Sequence, residues 1–238
     1  VVPRWRARLP KLAGFGCIDR PSEHGPSLEA WRAAAAGPYR AGLENPLAGA
    51  VLQPTGGTTG PSKAGLYTHR SLEMMFLSLR ECFRFTPDSR VLAAAPLTHA
   101  GGIVALACLC CGGRGVVTNR TTPGQALDEI ERERITHLFL PPTLLYVLIN
   151  EMQAAPRDVS SLKRIMTGAA PVAPDKVKEA TRLFGPVMAE GYGSTENGSP
   201  VLWKHPEDYI NPDGSFDDAA LASAGRAVPY ARVEIMDL

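Results

Sequence analysis

From residue 51 onward the sequence alternates short apolar runs with longer stretches whose apolar residues recur every three or four positions. Apolar runs of four or five residues are strand signals and the 3.6-residue period is a helix signal. A chain that trades one for the other in turn is constrained to an α/β architecture with a largely parallel sheet. Runs at 50–53, 91–95, 115–118, 137–140, 164–167, 186–189 and 232–236 predict strands; 71–83, 102–110, 124–134, 143–152 and 174–184 predict helices, several with Pro, Thr or Ser near their first turn. Residues 1–48 read as an irregular peripheral segment with one short helix at 28–36, residues 49–238 as the ligand-binding core, and the stretch after Glu196 as a second irregular zone rich in turn formers and acids.

Open α/β sheets bind ligands at the carboxyl ends of their strands, and four loops with unusual composition fall there. The first, PTGGTTGPSKAGLYTHR from Pro54 to Arg70, surrounds Lys63 with glycines and hydroxyls between an apolar run and a helix. Backbone N–H groups in such a loop form a nest for phosphate, and the lysine adds positive charge. It is not a Walker A loop, because no Gly-Lys-Ser/Thr stands at the needed spacing, and GFGCID near the start lacks the third glycine of a dinucleotide fingerprint. The second, AAAPLTHAGG, carries His99, Ala100 and Gly101. The third, MTGAAPVAP, leaves its strand through Gly168, Ala169, Ala170 and Pro171, with room for a flat group. The fourth, AEGYGSTENGSP, offers Tyr192 as a stacking face, Ser194 and Thr195 as hydroxyls and Glu196 as a hard oxygen ligand of the kind magnesium takes beside nucleotide phosphates. Each loop alone has a plainer explanation: a flexible turn, a core histidine, a core tyrosine, a solvated glutamate. Their joint occurrence after successive strands is what points to one nucleotide site.

The remaining composition mostly excludes. A net charge of +1 gives no basic face for nucleic acid and no polybasic membrane anchor, and no run of eighteen apolar residues is present to span a bilayer. Of five cysteines, Cys108, Cys110 and Cys111 form a CxCC cluster with aliphatic neighbours and no nearby histidine or acid, which reads as buried, reduced thiols and a cytoplasmic setting rather than a metal site. The sequence begins VVPRWRARLP, without an initiator methionine or the apolar core of a signal peptide, and is expected to be a piece of a longer chain.

These four segments, in this order, resemble the acyl-adenylate-forming superfamily, which includes acyl-CoA synthetases, luciferases and the adenylation domains of peptide synthetases. TGGTTGPSKAGLYTHR is similar to its phosphate loop at Thr55, Gly57, Thr58, Thr59, Gly60, Lys63, Thr68 and His69. PLTHAGG is similar to the P-x-x-H-x-x-G segment of the acyl-CoA ligase branch, GAAPV to the segment along adenine, and GYGSTE to the Y-G-x-T-E motif. The resemblance spans residues 45–238 and implies layered, largely parallel sheets flanked by helices, as in the central part of the large domain, truncated at both ends and without the mobile C-terminal domain.

It implies ATP and Mg²⁺ as cofactors, a carboxylic acid substrate and coenzyme A as acyl acceptor. Lys63, Thr195 and Glu196 would be catalytic. ATP would be bound by Thr55, Gly57, Thr58, Thr59, Gly60, Lys63, Gly168, Ala169, Ala170, Pro171, Gly191, Tyr192, Gly193, Ser194 and Thr195. The acid would lie at His99, Ala100, Gly101, Gly168, Glu190 and Gly191, and the metal at Glu196 and Thr59. The sequence departs from the family pattern at Ser62, Ala64, Glu190, Ala222 and Ala227. Two other readings compete: a non-catalytic nucleotide- or acyl-binding protein of the same fold, and a hydrolase using Ser194. The second is disfavoured because Glu196 stands where the nucleophile elbow needs glycine.

Overall fold

The computed structural model describes residues 7–9, 11, 22–35, 37, 45–55, 63–118, 122–198 and 200–237. The chain divides into two compact units, Val1–Glu44 and Asn45–Leu238. Within the first, α1 (Leu28–Ala34) is capped by the Ser27 side chain, which accepts from the Ala30 N–H at 3.1 Å, and buries none of its residues.

The second unit is built on a seven-stranded sheet, taken here with its flanking helices. In chain order its elements are β1 (Gly49–Pro54), β2 (Ala64–Thr68), α2 (His69–Phe83), β3 (Arg90–Ala93), α3 (Ala100–Cys110), β4 (Arg114–Val117), α4 (Pro123–Glu133), β5 (His137–Leu140), α5 (Pro142–Ala154), β6 (Arg164–Gly168), α6 (Pro174–Phe184), β7 (Met188–Tyr192), β8 (Leu202–Lys204), α7 (Asp218–Ala222) and β9 (Arg226–Ala227). The large sheet runs β4-β3-β5-β6-β7-β8-β9; its first five strands are parallel, and β8 pairs antiparallel with both β7 and β9. HLFL and RIMTG are buried at every position, as strands covered on both faces must be. Their residues alternate between two cores. Phe139 and Met166 pack with α2, α3 and Trp203, while Leu138, Leu140 and Ile165 pack with α4, α5 and α6. Capping boxes open α2 (Thr68 with Ser71) and α4 (Thr122 with Gln125), satisfying N–H groups that no helical carbonyl reaches.

The structure corrects four expectations. The stretch after Glu196 is not simply irregular: β8, α7 and β9 form in it, with β8 on the edge of β7 and β9 on β8. The run at 50–53 does not join the large sheet: β1 pairs antiparallel with β2 in a separate ribbon, and the glycine-rich loop is the connection between them rather than a strand-to-helix turn. The run at 232–236 is not a strand; Ile235 and Met236 are exposed, and among the described residues no strand pairs with them. The CxCC segment is split, with Cys108 buried, Cys111 half-buried and Cys110 exposed on α3. Among the described residues no cluster of metal-ligating side chains forms, and no helix is long and apolar enough to cross a membrane.

One buried polar group gives the fold a pH dependence. His137 starts β5 at 1% exposure, with Nε2 against the Phe83 carbonyl at 3.1 Å and Nδ1 against the Thr136 hydroxyl at 2.7 Å. Burial lowers its pKa from 6.5 to about 4, against a raising contribution from the Phe83 carbonyl and with help from the Lys163 and Arg164 charges. The unfolded chain therefore takes up a proton first as pH falls. Stability is full above about 6.5 and drops on acidification towards about 4. Urea midpoints measured across that range should fall steadily, and the His137→Gln variant should show a flatter profile.

Candidate functional site

The ribbon closes a neck between the two ends of the glycine-rich segment. The Thr55 N–H donates to the Lys63 carbonyl at 2.8 Å, and the Lys63 N–H donates to the Thr55 hydroxyl at 3.1 Å. This fixes the base of the loop and leaves the Lys63 side chain exposed beside it. Gly57, Thr58, Thr59 and Gly60 lie outside the described residues. The ribbon reaches the β3–α3 loop as well, through the Gln53 side-chain amide, which donates to the Thr98 carbonyl at 2.8 Å.

Beyond β7 the chain makes a short 3-10 turn, Thr195–Asn197, opened by Ser194, whose N–H donates to Asn197 Oδ1 at 2.9 Å. Glu196 is exposed on this turn. Its carboxyl is held below the ordinary range by its own backbone N–H, then by the Ser194 hydroxyl, and further by the positive charge of Lys63. An ionised hard-oxygen donor of this kind has the chemistry of a magnesium ligand. The turn is also tied to the ribbon: the Tyr67 hydroxyl donates to the Thr195 carbonyl at 2.6 Å, 128 residues away in sequence.

The strand ends complete the arrangement. Gly168 and Gly191 are direct partners across β6 and β7, so the segment Ala169, Ala170 and Pro171 leaves the sheet beside Tyr192 and Gly193. Ala169 turns the chain in the left-handed region at φ 67°, and it and the next two residues are exposed. Tyr192 is 58% exposed at the end of β7, so its ring is not spent on the core. His99 is exposed too, heading α3 with Nδ1 at 2.9 Å from the Thr98 hydroxyl.

Two features bear on the residues expected to border the acid. The small residues there are not open space: a Cβ on Gly101 would lie 2.8 Å from the Ala95 carbonyl oxygen, on Gly168 2.7 Å from that of Gly191, and on Gly191 2.4 Å from Met166 Cε. These glycines let backbone and side chains approach closely. Glu190 is the second. Alternation along β7 puts Gly191 on the α3 face with Ala189, and Glu190 on the opposite face with Met188. Its carboxylate meets the Lys204 ammonium at 2.7 Å. Lys204 is buried, also donates to the Ala220 carbonyl at 3.1 Å and sits 5.0 Å from the centre of the Tyr209 ring. Burial and then the Glu190 carboxylate raise the Tyr209 pKa. The Glu190 charge is thus neutralised by Lys204 on the face opposite α3.

Loop neck, strand ends and metal-type turn therefore occupy one edge, in a layout with known counterparts. A family model described as AMP-binding enzyme matches residues 11–238. The chain belongs to the AMP-binding enzyme family. Among AMP-binding enzymes and their relatives, it is 32% identical over 200 residues to a medium/long-chain-fatty-acid–CoA ligase of Mycobacterium tuberculosis, covering 81% of this chain and 34% of that protein. It is 33% identical over 190 residues to a feruloyl-CoA synthase of an Amycolatopsis species, covering 75% and 38%. Of solved structures, an amide bond synthetase from Marinactinospora thermotolerans superposes with a TM-score of 0.77 at 28% identity, over 99% of this chain and 47% of the other. ATP-bound MatB from Rhodopseudomonas palustris superposes at 0.73 and 25% identity, over 87% and 39%. The chain spans about a third of the length of the curated AMP-binding relatives it matches.

The sequence alone missed Tyr67, Gln53 and Lys204. A lysine inside the apolar triplet LWK was the one available signal, since a charge in a buried strand needs a partner.

Proposed function

We propose that the protein containing this chain activates a carboxylic acid with ATP. A carboxylate oxygen of the acid attacks the α-phosphorus, the bond to the β-phosphate oxygen breaks, and acyl-AMP and pyrophosphate result. The coenzyme A thiol then attacks the acyl carbonyl, and AMP leaves. The observation that carries this reading is the hydrogen bond from the Tyr67 hydroxyl to the Thr195 carbonyl at 2.6 Å, since it sets the strand that starts beside Lys63 against the turn that carries Glu196, opposite charges for a polyphosphate and its cation. The carboxylate relatives named above favour coenzyme A as acceptor; the amide bond synthetase neighbour favours an amine as a second reading.

In this assignment Lys63, Thr58 and the loop N–H groups hold the departing phosphates, Thr195 meets the α-phosphate, and Tyr192 stacks on adenine against Gly168–Pro171. His99 and Ala100 border the acid. Glu196, with Thr59, would hold magnesium, which when bound supplies positive charge opposite the phosphates. The protein's own part is neutralisation and orientation of two anions, and positioning of this kind accounts for roughly 7–11 kcal/mol in well-aligned intramolecular reactions. Four unbridged cysteines among the described residues favour a reducing, cytoplasmic setting.

Calorimetric titration of this chain with MgATP tests the reading. Saturable binding is expected, weakened about tenfold or more by Lys63→Ala, as loss of a charge-assisted hydrogen bond dictates. A folded chain giving no saturable signal at millimolar MgATP would refute it. For the intact enzyme, thiol and amine acceptors offered with a panel of carboxylic acids separate the two acceptor readings.

A further inference from the structure

We infer that Tyr67 is a positioning residue that sets the metal-binding turn against the phosphate loop. The inference rests on the nucleotide site just proposed. It starts from the shape of the ribbon. β2 leaves the loop neck at Lys63, and alternation along it turns Gly65 and Tyr67 to the same side while Leu66 faces solvent. Tyr67 is 7% exposed, its ring held in the core formed by α2, α3 and Trp203. The ring is therefore fixed, and its hydroxyl projects from that core onto the Thr195 carbonyl at 2.6 Å.

The turn needs such a support. Three residues of 3-10 helix carry too few internal hydrogen bonds to hold their own orientation, and the Ser194–Asn197 contacts act only within the turn. What lies against it from the ribbon is Gly65, where a Cβ would come 3.6 Å from Thr195 Cγ2, and the Tyr67 hydroxyl. The path from Lys63 through β2 to Tyr67, and across one hydrogen bond to Thr195 and Glu196, joins the cation that meets phosphate to the carboxylate that meets the metal. Burial raises the Tyr67 pKa and the Glu196 charge raises it further, so the hydroxyl stays a donor at neutral pH. With its ring in the core and its hydroxyl on the Thr195 carbonyl, Tyr67 acts through the turn.

The test is Tyr67→Phe, which keeps the ring in the core and deletes only the donor. MgATP affinity should fall about fivefold to tenfold, the size of one well-formed hydrogen bond. ATP affinity measured in EDTA should change less than twofold, because the loop neck is untouched. A merely structural role would weaken both alike. Amide hydrogen exchange over residues 195–198 should quicken in the variant while the α2 amides stay protected. Equal losses with and without magnesium, or unchanged exchange at 195–198, would overturn the inference. If the wild-type chain itself takes no MgATP, the nucleotide reading fails, and the exchange comparison still decides whether Tyr67 fixes the turn.

Discussion

Replacing Glu190 by glutamine lowers the stability of this chain by about 3–5 kcal/mol, the cost of leaving a buried charge without its partner. The charge left behind is Lys204, whose side chain is 2% exposed, and the Ala220 carbonyl and the Tyr209 ring cannot neutralise it. The reverse substitution, Lys204→Met, costs less. The Glu190 side chain is 17% exposed, so water reaches the charge left behind and hydrates it. Combining the two removes the ion pair altogether and should return the chain to near wild-type stability, since apolar or neutral replacements of buried pairs are often neutral. Urea unfolding of all four chains gives the coupling through a double-mutant cycle. Additive losses in the double variant would mean that Glu190 and Lys204 act independently. The consequence for function is local: the pair sits two residues before Tyr192, and its loss frees the strand end that presents that ring.

The parts of the fold that were legible in the sequence are those in which one residue pattern admits one environment. HLFL and RIMTG carry adjacent apolar residues facing both ways because both faces of their strands are covered, and the helix after RIMTG keeps a single apolar stripe. What was not legible depends on partners distant in sequence. AGLYT has no run of apolar residues and becomes β2 only because GAVLQP lies antiparallel to it; LWK and the two-residue β9 are strands by virtue of the β7 edge. The run VEIM near the end has strand composition and, among the described residues, no strand paired with it. Composition proposes a strand, but a neighbouring backbone makes one.

The site divides along the same line. Lys63, Tyr192 and Glu196 stand out against an apolar pattern in the sequence, and all three are exposed, as the roles proposed for them require. Glu190 was misread because a carboxylate at a strand end resembles a ligand contact until the register sets Lys204 opposite it. The glycines at positions 101, 168 and 191 resemble room for a substrate until the carbonyls and the Met166 methyl that fill the space are located. In each case the residue type was informative, and the identity of its neighbour decided the meaning.

Gly102→Ala should cost about 3 kcal/mol, the upper end of the range for overpacking a filled interior. A Cβ at this position would stand 1.9 Å from the Leu97 carbonyl oxygen and 2.8 Å from its carbon, far inside van der Waals contact. The obstacle is backbone, so no side-chain rotation relieves it; either the first turn of α3 or the loop at 95–97 must shift. His99 lies between these two places, with its N–H bonded to the Pro96 carbonyl and its own carbonyl accepting from Gly102, so the strain falls on the loop that presents the imidazole. The Gln53 bond to Thr98 should loosen with it. The control is Gly115→Ala on the edge strand β4, where a Cβ meets nothing within 4 Å and removing glycine reduces the entropy lost on folding. Urea midpoints should therefore separate the two variants, one well below wild type and the other at or slightly above it. A Gly102→Ala chain as stable as Gly115→Ala would mean that α3 does not lie against the 95–97 carbonyls, and that His99 is not held where the site requires it.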